Sequence, residues 1–177
     1  MNKLDLIKKW EIIGIFWIII IGSLLHFTYE WSGNSKFVAL FSPVNESVWE
    51  HLKLGYFSLL FYIPIEYKFL KPKTNSFFLG KLLGILSMEI TILLIYYSYH
   101  LIFNKSSLIV DILSFIIGAV LCQLISIKVL KTNINKKANI LGFIGFISFG
   151  FILSFFTFFP PKLPLFMDNN TKKYGIY

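Results

Sequence analysis

Three histidines and five carboxylates are the residues of this chain whose types and spacing could do chemistry: His26, His51, His100, Glu30, Glu46, Glu50, Glu89 and Asp111. Neutral imidazole and carboxylate together suit zinc, iron or manganese. His26, Glu30, His51 and His100 are therefore candidate ligands for a divalent metal. Glu46, Glu50 and Glu89 are the candidate catalytic carboxylates, one acting as base beside a metal-activated water. His26 and Glu30 are four residues apart, as are Glu46 and Glu50, so each pair shares one face of a helix. The same groups suit a proton relay, since histidine titrates near neutrality. The sequence has no His-Glu-x-x-His, no Glu-x-x-His and no Gly-x-Ser-x-Gly, so no motif selects a reaction. No organic cofactor motif is present either.

Each residue also has a plainer reading. Glu46 and Glu50 suit the first turns of a helix, where carboxylates meet the positive end of the dipole. His26 with Glu30 is equally an interfacial hydrogen-bonded pair. Asp111 caps a helix that follows Asn104-Lys105-Ser106-Ser107, and Ser58, Ser87, Thr91 and Ser114 are expected to bond between helices. Glu89 has no lysine within a turn and so no such account. Cys122, the single cysteine, is a buried inert thiol.

The elements that must position these groups are membrane helices. Of 177 residues, 56% are hydrophobic and 15% charged, against roughly 25% charged in a soluble domain. Five stretches, 10–29, 52–70, 77–103, 107–130 and 138–159, approach the ~20 apolar residues that a span requires. Backbone groups in lipid must pair within their own segment, so each is a helix. The fold class is all-α, a bundle of about five transmembrane helices in a single membrane domain over 1–177. The first apolar run is too long for a signal peptide and no Ala-x-Ala site follows, so it reads as a retained helix. Three spans carry polar seams: His51, Gly55, Ser58, Tyr62 and Glu66; then Glu89, Tyr96 and His100; then Asp111, Ser114, Gly118 and Cys122. The inner halves of spans one and five offer few polar groups, which disfavours transport by a monomer.

All 17 basic residues are lysine. Eleven flank the N-terminus and the loops after spans two and four; six lie on the other side. The positive-inside rule puts the N-terminus in the cytoplasm and the C-terminal tail outside, in a bacterial cell membrane. All three histidines then gather at the outer end. The lysines sit between apolar runs rather than on a basic stripe, so membrane lipid is the expected partner and nucleic acid is not. In the outer loop 30–51, Ser42-Pro43 reads as the start of helix two, with Asn45 a second cap. The tail 160–177, stiffened by Pro160, Pro161 and Pro164, folds back through Leu165, Phe166 and Met167, and Asp168 is within reach of the polar cluster.

HFTYEW at 26–31, PVNESVWEHLKL at 43–54 and the tail PP-KLPLF-MD-YGIY resemble an uncharacterised family of small polytopic membrane proteins of Gram-positive bacteria, known by a domain-of-unknown-function label. The resemblance covers essentially the whole chain and implies no activity, substrate or cofactor. It implies that the outer loop, the start of span two and the tail are the landmark blocks. Asp168-Asn169 stands where the family leads one to expect aspartate followed by proline. Three functional readings stay open: a metal-assisted hydrolase or transferase on a lipid or envelope substrate, a structural or accessory protein with a hydrogen-bonded clasp, and a small proton- or ion-linked carrier.

Overall fold

The computed structural model describes residues 2–177. Among these, five α-helices follow one another: α1 Lys3–Trp31, α2 Val48–Leu70, α3 Phe77–Phe103, α4 Leu108–Lys131 and α5 Lys136–Phe158, with no strand. The fold is the expected all-α bundle. α1, α3, α4 and α5 are each long and apolar enough to cross a membrane, which suggests a multi-pass membrane protein. α2 differs because it carries Glu50, Lys53, Glu66 and Lys68. It is also the most enclosed helix, buried along most of its length, so its charges face protein.

The helices form a ring in the order α1, α2, α5, α3, α4, with α2 and α3 touching across the middle. Ile18, Leu59, Ile85, Met88, Ala119 and Cys122 fill that middle and are fully buried. Phe16, Ile20, Leu94 and Phe151 point outward and are exposed, as side chains solvated by hydrocarbon do. α5 docks on α3 where Gly142 lies against the backbone of Phe78 and Leu79; a Cβ there would fall 2.5 Å from the Leu79 Cα.

Local chemistry sets the ends. Asn2 accepts from the Asp5 amide at 2.8 Å, and Asn135 accepts from the Ala138 amide at 2.7 Å, as N-caps do. Asn104 closes α3 in the left-handed conformation at φ 51°, a common helix terminator.

Helix two does not begin at Ser42-Pro43. α2 begins at Val48, capped by Ser47, whose hydroxyl accepts from the Glu50 amide at 3.3 Å. Ser42 is occupied elsewhere. Its Oγ donates to the Leu25 carbonyl at 2.7 Å and accepts from the Tyr29 amide at 3.1 Å. Those two groups would bond each other in a regular helix, so Ser42 wedges into the last turns of α1 and ties the loop there. Asn45 caps nothing helical; it accepts from the Ser47 amide at 2.9 Å.

Candidate metal centre

α1 delivers His26, the first turn of α2 delivers His51, and the loop just before Ser47 delivers Glu46. The two imidazole Nε2 atoms are 3.1 Å apart. His51 Nε2 is 3.4 Å from Glu46 Oε2, and His26 Nε2 is 3.9 Å from Glu46 Oε1. Tetrahedral zinc with bonds of about 2.0–2.2 Å sets its donors roughly 3.3–3.5 Å apart, so the spacing fits one ion with small adjustments. His51 Nδ1 lies 2.8 Å from the Ser47 carbonyl. A carbonyl only accepts, so Nδ1 carries the proton, and the neutral ring presents a lone pair at Nε2. Such outer partners fix the tautomer and orientation of metal-binding histidines. The three side chains are 31–46% exposed, so water reaches them.

Tail and loop lock Glu46 in place. Asp168 Oδ2 accepts from the Glu46 amide at 3.1 Å and from the Tyr177 hydroxyl at 2.7 Å. Asp168 Oδ1 accepts from the amides of Asn170 and Thr171 at 2.6 and 2.7 Å. Asn45 Nδ2 donates to the Gly175 carbonyl at 3.0 Å. Phe166 is buried against Trp49, with ring centroids 4.6 Å apart. Asp168 thus serves both as a turn residue and as a strut for the cluster.

When His51 is protonated on both nitrogens, its hydrogen bond holds the Glu46 carboxyl below its ordinary range, helped by the fields of His51 and His26 and opposed by burial. Burial pushes Asp168 upward, but the Thr171 amide, the Tyr177 hydroxyl and the amides of Glu46 and Asn170 outweigh it and hold its carboxyl low.

The structure brings His26 and His51 together and adds Glu46, which the sequence assigned to catalysis. It does not bring in Glu30 or His100. Glu30 is exposed at the end of α1, and His100 is exposed and stacked on Tyr96 at 6.2 Å between ring centroids. Glu50 is buried behind the site. Its Oε2 lies 2.6 Å from Lys53 Nζ and accepts from the Val44 amide at 3.1 Å; its Oε1 accepts from Thr157 at 2.8 Å. Lys53 also donates to the carbonyls of Ala39 and Ser42 and to Thr157, at 2.8, 2.6 and 2.9 Å. Lys53 is therefore not a surface lysine but the pin that holds the loop inside the bundle.

Glu89 is buried against Gly55 of α2 with neither oxygen hydrogen-bonded among the described residues. The hydroxyls expected to bridge helices bond inside their own: Ser58 to Gly55, Ser87 to Gly84, Thr91 to Ser87 and Ser114 to Asp111. In an apolar setting the carbonyl one turn back is the nearest acceptor.

A second charged centre was missed. Glu11, Glu66 and Lys81, all fully buried, meet toward the opposite end of the bundle. Lys81 Nζ is 2.8 Å from Glu11 Oε1 and 2.7 Å from Glu66 Oε2. The inner half of span one is therefore not apolar, which leaves only span five behind that argument against transport. A signal was available: the predicted spans 10–29 and 77–103 already enclosed Glu11 and Lys81, and a charge inside a span calls for a partner.

The family of unknown function DUF6512 matches residues 1–176, and the chain belongs to that family. Neither a curated protein nor a solved structure matches the chain.

Proposed function

We propose that this protein is a multi-pass protein of the bacterial cell membrane, its N-terminus cytoplasmic, with a metal site of two histidines and one glutamate at the outer end. The site serves a hydrolase or transferase acting on a lipid or envelope substrate. One observation carries the reading: His26 Nε2, His51 Nε2 and a Glu46 oxygen converge at metal-ligand spacing while Ser47 directs the His51 lone pair inward.

Three protein ligands leave a further position open, and a zinc or similar ion bound there would lower the pKa of its water to about 7 and polarise a carbonyl or phosphoryl oxygen. His26 and His51 would hold the ion as neutral donors and Glu46 as its anionic one. Asp168 keeps Glu46 in register through the backbone amide. We assign the role of taking a proton beside the site to Asp111, in the first turn of α4 and within electrostatic reach of His51. Leu101, Ile102, Leu108 and Ile109 at the outer tips of α3 and α4 are more than 70% exposed. They provide an apolar approach that suits a substrate with acyl chains.

The rival reading is the clasp, in which His26 Nε2–H donates to His51 Nε2 at 3.1 Å and the cluster only ties loop to tail. Purified protein supplied with zinc or ferrous iron, incubated with phospholipid and with isoprenoid-phosphate substrates, separates the two. The enzyme reading expects turnover that His51→Ala and Asp111→Asn both abolish. Turnover absent on every substrate class, with folding intact, would favour the clasp.

A further inference from the structure

The centre around Lys81 sits far from the histidines. Along α3, Lys81 lies eight residues, about 12 Å at 1.5 Å per residue, from Glu89 on the side away from the metal centre. It is also close to one surface. Glu66 is four residues from the end of α2, and Lys81 four from the start of α3, each about one helical turn below the lysine-rich face.

Four helices contribute. α1 supplies Glu11, α2 Glu66 with Tyr62, α3 Lys81, and α4 Cys122, Gln123 and Ser126. Lys81 Nζ donates to both carboxylates and lies 3.5 Å from Gln123 Oε1. Ser126 Oγ donates to Glu11 Oε1 at 2.7 Å. The Tyr62 hydroxyl donates to the Trp10 carbonyl at 2.6 Å. Glu11 Oε2 and Gln123 Nε2 are buried with no hydrogen-bond partner among the described residues.

The charge count is the decisive fact. Two carboxylates face one ammonium, so with both acids ionised the centre carries a net negative charge in an interior that screens it poorly. One more proton makes the centre neutral, and the unpartnered Glu11 oxygen is a place for it. A purely structural ion pair needs one acid, not two.

We propose that Glu11, Glu66 and Lys81 form a proton-binding site in which the two carboxyls share one exchangeable proton and trade it with the lysine-rich face. On release the carboxylic O–H bond breaks, the carboxylate keeps the electron pair, and the proton passes to water at that face. No redox partner enters. Such a site is what a proton-linked function of this bundle would use, independently of the metal centre.

The test is infrared spectroscopy of the full chain in lipid nanodiscs, titrated over about pH 5–10. The wild type should show a protonated-carboxyl C=O stretch that disappears as the pH rises. Glu11→Gln and Glu66→Gln should each abolish it, because either change leaves one carboxylate paired with Lys81 and no proton to lose. Glu89→Gln should leave it in place. Cys122, the only cysteine, lies within electrostatic reach of all three groups, so its S–H band should shift in step in the wild type. This second readout requires no variant. No titrating carboxyl band, a titrating band removed only by Glu89→Gln, or an S–H band that stays fixed would each overturn the proposal.

Discussion

Lys53 and Glu50 show how much one side chain holds. Both are almost fully buried and 2.6 Å apart, and the ammonium also binds two loop carbonyls and Thr157. Lys53→Met leaves a buried carboxylate without its counter-charge, and such losses cost about 3–5 kcal/mol. Thermal melts in detergent should show a large drop for Lys53→Met and partial recovery in Lys53→Met/Glu50→Gln. Equal losses in both would place the energy in packing instead. For Glu46 and Asp168 the sign of the pH effect follows from their lowered folded-state values. Each contributes stability that is full above the ordinary carboxylate range near 4 and is lost as the pH falls through the folded-state value. The metal-free protein should therefore hold its Tm above about pH 5 and lose it toward about pH 3. Glu46→Gln should flatten part of that slope.

At the scale of elements, the helices are legible because the apolar runs are long and carry no strand-like alternation. Their ends were legible to a few residues for α3, α4 and α5. The loop before α2 was not. Ser42-Pro43 is a sound helix start by local rules, but its hydroxyl is captured by Leu25 and Tyr29 of α1, a contact no local rule contains. Counting lysines by position makes Lys53 and Lys81 topology markers, because it cannot tell a surface lysine from one that reaches a buried acid. Half of the outer site was legible for a similar reason. His26 and His51 lie at adjacent helix ends, whereas Glu30 and His100 point off the bundle. The α3–α5 contact makes a separate prediction. Gly142→Leu would drive a side chain into the Leu79 backbone, and overpacking typically costs 1–3 kcal/mol. The measurable result is a lower Tm with α5 cleaved first in limited proteolysis.

For the whole molecule, orientation decides what each centre can do. Removing Lys53 and Lys81 from the lysine tally takes one from each side and keeps the asymmetry. The proposed topology predicts that Lys36→Cys reacts with an impermeant thiol reagent in intact cells and Lys131→Cys does not. Cys122 is buried and gives no background. Reaction of both from outside would reverse or break the topology and move the metal centre off the outer face. In the proposed arrangement one bundle carries a water-accessible histidine–glutamate site at one end and a buried acid–ammonium centre at the other, with Glu89 between.

Elemental analysis of the chain, purified in detergent without chelator, measures directly whether the histidine–glutamate site holds a metal. About one zinc or iron per chain is expected, lost in His51→Ala and in Glu46→Ala, with a Tm that chelator lowers in the wild type alone. Wild-type protein that is folded and free of stoichiometric metal, and whose Tm chelator leaves unchanged, would rule the metal site out.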